Sequence, residues 1–242
     1  MAGHSAWKNI KHRKAAVDAK RGKIWSKCSR AIIVAARTGG ADPKFNATLR
    51  LAVDAAKAAN MPRDTIEKAI KKGAGEGDGE NFEAVKYEGY GPGGVAIIAE
   101  CLVANPNKAA ADIRMIFDKN GGNLGVPGSV TFSFQHRGSI LVGAGAATEE
   151  RLFEVALDAG AEDIQGGEEG WQVVTPPTEM LRVKDALESA GIPVEHAEIT
   201  YLPASPVEVD AAAAASVAKL VAALEEHDDV QKVHINADVS TD

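Results

Sequence analysis

Two cysteines, Cys28 and Cys101, are all the chain has. They are too few for a disulfide framework and fit a reducing compartment. Long apolar runs are missing as well. The longest stretch without Lys, Arg, Asp or Glu, Asn120 to His136, has 17 residues, four of them glycine. A membrane-spanning helix needs about 20 mostly apolar residues. The first 30 residues hold no apolar core of a secretory signal. These absences predict a cytoplasmic protein with no membrane partner. What remains is a chain of 242 residues, 45% hydrophobic and 25% charged, long enough for two or three modules with more than one core.

The net charge of −7 hides an asymmetry. Met1 to Gly75 carries 17 Lys+Arg against 5 Asp+Glu, a local net of +12, and Glu76 to Asp242 carries 10 against 29, a local net of −19. Such a division is the compositional mark of a polyanion-binding module attached to an acidic body. A solvated basic surface with no partner is the alternative.

The cations also sort by face. Lys20 to Arg37 reads as an amphipathic helix in which Ile24, Cys28, Ala31, Ile32 and Ala35 share one arc, with Trp25 and Ala36 at its edge. Lys20, Lys23, Lys27, Arg30 and Arg37 occupy a separate arc, and Thr38-Gly39-Gly40 ends the helix. A second helix carries Phe45, Leu49, Ala52, Val53 and Ala56 at helical spacing and ends near Asn60. A third starts around Pro62, with Asp64 and Glu67 spaced as a capping box. It buries Ile66, Ala69 and Ile70, presents Lys68, Lys71 and Lys72, and stops at Gly73. Three short helices with apolar stripes make a small helical module with a basic outer face. Ahead of it, Lys8, Lys11, Arg13, Lys14 and Arg21 project in all directions with no apolar stripe beneath them. That arm is expected to order only on a partner.

The Gly-rich run Glu76 to Asn81 marks the first domain boundary. Beyond it the pattern turns α/β. Val85–Tyr90 and Val95–Leu102 read as strands around a Gly-Pro-Gly-Gly turn, Asn105-Pro106 caps a helix that ends at Gly121-Gly122, and Ser129–Phe134 alternates as a strand. Ser139 to Tyr201 reads strand, helix, strand, helix, strand: Ser139–Val142, Glu149–Ala159, Trp171–Thr175, Thr178–Ala190 and Ala197–Leu202. A last helix, Ala211–His227, and strand, Val230–Ala237, bury their faces only by returning to the middle module. The predicted fold is α+β: a basic N-terminal helical domain (1–78) and two ferredoxin-like α/β modules, one (137–204) inserted in the other (79–136 and 205–242).

Catalytic and cofactor motifs fail on their own physics. Gly89-Tyr90-Gly91-Pro92-Gly93-Gly94 matches the dinucleotide pattern, which requires a helix N-terminus after the glycines. Val95-Ala96-Ile97-Ile98-Ala99 follows instead, so the segment reads as a hairpin connection. None of His4, His12, His136, His196, His227 and His234 has a ligand partner at metal-site spacing. Cys28 and Cys101 read as core residues. Neither an enzyme, a cofactor nor a metal is expected. Trp25 reads as core; Trp7 suits either stacking on an unpaired base or anchoring the arm.

Several blocks carry a resemblance. Gly3-His4-Ser5-Ala6-Trp7, Ile10-Lys11-His12-Arg13-Lys14-Ala15-Ala16 and Asp18-Ala19-Lys20-Arg21-Gly22-Lys23 resemble the N-terminus of the YebC/PmpR family. Tyr87-Glu88-Gly89-Tyr90-Gly91-Pro92-Gly93-Gly94, Gly121-Gly122-Asn123-Leu124-Gly125 and Gly128-Ser129-Val130 are similar to two further blocks of it. The resemblance implies three domains and a cytoplasmic gene-expression factor, described in bacteria as a DNA-binding transcriptional regulator. Related members, among them the mitochondrial translational activator of cytochrome c oxidase subunit I, act on translation at the ribosome. Ala6 stands where the family usually has Lys, and Ala104-Asn105-Pro106-Asn107-Lys108-Ala109 is less polar than the usual loop.

On this reading Lys8, Lys11, Arg13, Lys14, Lys20, Arg21, Lys23, Lys27 and Arg30 contact phosphates, and His4, Trp7 and His12 add shape or base contacts. Few Asn or Gln sit on the basic face, which favours backbone and shape recognition over base readout. The expected partner is nucleic acid, either promoter DNA or ribosomal RNA during elongation. A protein–protein adaptor that works through its acidic α/β modules is the competing class.

Overall fold

A computed structural model describes residues 21–76, 81–167 and 169–237. These divide into two compact units. One is Ser133–Pro206; the other runs up to Phe132 and resumes at Val207.

The larger unit begins with three helices, α1 (Arg21–Gly39), α2 (Ala47–Ala58) and α3 (Arg63–Gly73). Their apolar stripes meet in a core of Ile32, Ile33, Ala35, Ala36, Leu49, Val53, Ala56, Met61, Ile66 and Ala69. Gly73 lets α3 approach α1 closely, since a Cβ there would lie 2.6 Å from both the Ala36 methyl and the Ile33 carbonyl oxygen. Asn46, buried, ties the first corner: its side chain accepts from the Leu49 N–H to cap α2 and donates to the carbonyls of Ala35 and Gly40. Two expectations fail here. Phe45 precedes α2 and is 88% exposed rather than part of its buried stripe. Asp64 and Glu67 form no capping box, because Pro62 occupies the cap position and Glu67 accepts from Arg63 at 2.7 Å instead. Ile33, outside the arc read from the sequence, is buried in the core.

The same unit continues as an antiparallel sheet with strand order β3-β1-β2-β8, made of β1 (Glu83–Tyr90), β2 (Ala96–Val103), β3 (Asn123–Leu124) and β8 (Val230–Ile235). β1 and β2 pair in register from Glu83 opposite Val103 to Tyr90 opposite Ala96. Between them, Pro92–Gly94 forms a single 3₁₀ turn in which Gly93 and Gly94 hold φ of 71° and 75°, a region that disfavours side-chain-bearing residues. Helix α4 (Pro106–Lys119), started by Asn105 and Pro106, and helix α7 (Ala211–Glu225), capped by Asp210, pack on this sheet. Val95, Ile97, Ala99, Cys101 and Val103 meet Ile113, Phe117, Val217, Leu220 and Leu224 in its core. β2 crosses through α4 to the parallel β3, with the antiparallel β1 between them, and the two central strands, β1 and β2, form the hairpin.

Ser129–Phe134 is not the predicted strand. Thr131–Ser133 is a 3₁₀ turn, Phe134 opens the next strand, and the third strand of the first sheet is the two-residue Asn123–Leu124. The N–H groups of Gly128, Val130 and Thr131 donate to the buried Glu88 carboxylate, which removes them from any ladder.

The smaller unit is β4 (Phe134–Gly143), α5 (Glu149–Asp158), β5 (Asp163–Gly167), β6 (Gly170–Thr175), α6 (Met180–Ser189) and β7 (Val194–Pro203). The strand order is β5-β6-β4-β7, antiparallel throughout. This is the ferredoxin-like βαββαβ arrangement. Leu152 and Ala156 of α5 and Met180, Val183 and Leu187 of α6 are buried. The sequence does not predict β5, because Gln165-Gly166-Gly167 lacks strand-like residues. Gly166 is needed there: a Cβ would stand 2.5 Å from the Trp171 ring. The unit holds four Lys+Arg and thirteen Asp+Glu, a local net of −9. Among the described residues no helix is long and apolar enough to cross a membrane.

Candidate nucleic-acid interface

Of the residues expected to touch nucleic acid, His4, Trp7, Lys8, Lys11, His12, Arg13, Lys14 and Lys20 lie outside the described residues. Arg21 is the first residue of α1. The structure places the other three, Lys23, Lys27 and Arg30, on one side of α1 against the last turn of α7. Lys23 Nζ donates to the Glu226 carbonyl and reaches the Glu226 carboxylate at 3.3 Å and that of Asp228 at 3.4 Å. Lys27 Nζ donates to the Glu225 carbonyl at 2.7 Å. Arg30 donates to the Asp228 carbonyl at 2.9 Å and to Asp229 Oδ1 at 2.6 Å, with its guanidinium 5.0 Å above the Phe82 ring. The three residues expected as free phosphate ligands are therefore engaged within the chain.

The cause is electrostatic. Glu225-Glu226-His227-Asp228-Asp229 puts four carboxylates at the negative end of the α7 dipole, where anions are unfavourable and cations are worth about 0.3–1 kcal/mol each. Lys23, Lys27 and Arg30 supply those cations at i, i+4 and i+7. Burial holds Lys27 below the ordinary lysine pKa, with the Lys23 charge adding to it and Glu225 opposing. Nothing local to α1 announces this partner, which lies about two hundred residues away. The acidic run after an Ala-rich helix was the available signal.

The unengaged cations are elsewhere. Lys44, before α2, and Lys68, Lys71 and Lys72 of α3 have no ion-pair partner among the described residues, and Lys44, Lys68 and Lys71 are exposed. Lys68, Lys71 and Lys72 belong to the basic face that the sequence predicts for the third helix, and they lie outside the set of phosphate contacts it predicts. Arg63 and Lys57 are paired with Glu67 and Asp54 on the surface, and Arg37 donates to Asn81 at 2.8 Å. Trp25 packs on the helical core and donates its indole N–H to the Ala59 carbonyl at 3.0 Å, the structural role read for it. Among the described residues no group of His, Cys, Asp and Glu is arranged to hold a metal ion.

A basic three-helix module followed by two four-stranded α/β units, one inserted in the other, defines the architectural class. Comparison with known proteins gives the family. A model described as the TACO1/YebC protein N-terminal domain matches residues 5–76, and one described as the TACO1/YebC second and third domain matches residues 82–237. The chain belongs to the TACO1/YebC family, as the resemblance to YebC/PmpR proteins implied. A probable transcriptional regulatory protein of Persephonella marina is 52% identical over 242 residues, covering 99% of this chain and 97% of that one. A relative of the same description from Aquifex aeolicus is 52% identical, covering 99% and 96%. A crystal structure of a conserved hypothetical protein from Aquifex aeolicus superposes with a TM-score of 0.82 at 51% identity, covering 91% of each chain. The family is thus one of regulatory proteins by the names its members carry.

Proposed function

We propose that the protein is a DNA-binding regulator of transcription in the cytoplasm that holds the phosphodiester backbone through its N-terminal helical domain, residues 1–78. The observation that carries this reading is the charge asymmetry, a local net of +12 in the first 75 residues on a chain of net −7. Lys44, Lys68, Lys71 and Lys72, unpartnered among the described residues, join the arm cations Lys8, Lys11, Arg13, Lys14, Lys20 and Arg21 as the phosphate contacts. Each lysine that neutralises a phosphate releases counterions, so affinity comes from clustered charge without a recognition helix. The acidic Ser133–Pro206 unit repels polyanions and confines contact to the basic module. The names of the relatives, probable transcriptional regulatory proteins, support DNA as the target.

The test is fluorescence anisotropy of the full chain with a labelled mixed-sequence DNA duplex across a salt series. The reading expects log K to fall linearly with log salt. Tighter binding to a structured RNA than to the duplex at equal salt would replace DNA with RNA as the target. No salt-dependent binding to either would end the reading.

A further inference from the structure

The cations that close the end of α7 are the kind a phosphodiester chain seeks, and the carboxylates that hold them are its rivals. Lys23, Lys27 and Arg30 satisfy the carbonyls of Glu225, Glu226 and Asp228 and pair with the carboxylates of Glu226, Asp228 and Asp229. Without them, four carboxylates would crowd the negative end of a helix dipole. The local sequence of α7 is unfavourable at that point, and the cations of α1 offset it. Both partners remain within reach of solvent: the side chains of Lys23 and Arg30 are 28% and 20% exposed, and those of Glu226 and Asp228 are 53% and 69% exposed. An ion cluster of this exposure is open to competition by salt and by other anions.

We infer that the acidic end of α7 is an internal competitor for nucleic acid: in the free protein Glu226 and Asp228 occupy Lys23, Asp229 occupies Arg30 and the Glu225 carbonyl holds Lys27 between them, and phosphates take their place when α1 joins the interface. This inference rests on the nucleic-acid reading above and adds its regulation. Among the described residues the Lys44, Lys68, Lys71 and Lys72 surface would then meet nucleic acid first, and full engagement would uncap α7. Because coupling is reciprocal, whatever frees the α7 end strengthens binding, and whatever binds α1 loosens the α7 end.

Two measurements on the full chain test it, with a labelled mixed-sequence DNA duplex and a structured RNA as probes. In the first, the triple variant Glu226→Gln, Asp228→Asn, Asp229→Asn is compared with a control of equal charge change in the inserted unit, Glu149→Gln, Glu150→Gln, Glu154→Gln. The competitor account expects the α7 variant to bind at least about fivefold more tightly than the control, with a steeper dependence on salt. The second uses the unaltered chain and so does not depend on the variant folding. Amide hydrogen exchange at Glu226, His227 and Val230, whose N–H groups close the α7 end, should speed up when nucleic acid saturates the protein. Equal affinities of the two variants, or unchanged exchange in the saturated chain, would overturn the inference while leaving the binding reading intact. Absence of binding by all three proteins to both probes would overturn both.

Discussion

Glu88 and Val130 are joined by a hydrogen bond of 2.9 Å in which a buried carboxylate accepts a backbone N–H. The N–H groups of Gly128 and Thr131 complete the set at 2.9 and 3.0 Å, and the Tyr90 hydroxyl donates to the Ser129 carbonyl beside them. One side chain on β1 thus fixes the loop that leads out of β3. Burial opposes its ionisation, but the bonds from Gly128, Val130 and Thr131 outweigh it and hold the carboxyl below the ordinary carboxylate range.

Glu88→Gln therefore removes a charge-assisted acceptor and should lower stability by about 2–3 kcal/mol, measured by urea unfolding at neutral pH. The sign of the pH dependence follows from the depressed folded-state pKa. The contribution of Glu88 is present above the ordinary carboxylate value and is lost as pH falls through the folded one. The unaltered chain should lose more stability on acidification than the Gln variant. Parallel pH profiles would contradict this account of the loop.

The close crossing of α1 and α3 makes a second, paired prediction. Gly73→Ala drives a methyl group into the Ile33 carbonyl and the Ala36 side chain and should cost about 1–3 kcal/mol. Gly22→Ala, on α1 with no described residue within 4 Å of the added methyl group, should be neutral or stabilise by up to about 1 kcal/mol. Thermal unfolding of the two variants decides it, and equal melting temperatures would refute the packing argument.

Much of this was legible in the sequence, and the failures have physical reasons. The arc of Cys28, Ile32 and Ala35 was readable because an α-helix repeats its burial every 3.6 residues. The glycine-rich connection before β2 was readable because no helix could follow it. β3 and β5 were not, since a two-residue strand and a Gln-Gly-Gly edge have no period to detect. Ser129–Phe134 misled because its alternation is real, but its amides are claimed by Glu88. At the candidate interface the sequence told which residues are cationic, not which are already spoken for. The partners of Lys23, Lys27 and Arg30 stand some two hundred positions away, beyond any local pattern.

The cysteines give a third prediction. Burial, reinforced by the charge of Asp229, pushes the Cys101 thiol up to about 12, and burial also raises Cys28. Neither should form thiolate at neutral pH. Both should react with a disulfide-exchange reagent only on denaturation, and rapid native-state labelling of Cys101 would contradict its placement in the sheet core.

Trp25→Phe keeps the ring in the helical core but loses the bond from the indole N–H to Ala59. It should cost about 1 kcal/mol, read by urea unfolding, and leave nucleic-acid affinity unchanged. A loss of affinity with unchanged stability would move Trp25 from the core to the interface.

The central claim is that lysines of the helical module meet phosphates. The most direct measurement is the salt dependence of DNA binding by the full chain with Lys44, Lys68, Lys71 and Lys72 each changed to Gln. The account predicts weaker binding and a log–log slope shallower by about 0.9 for every phosphate contact removed. An unchanged affinity and an unchanged slope would contradict it.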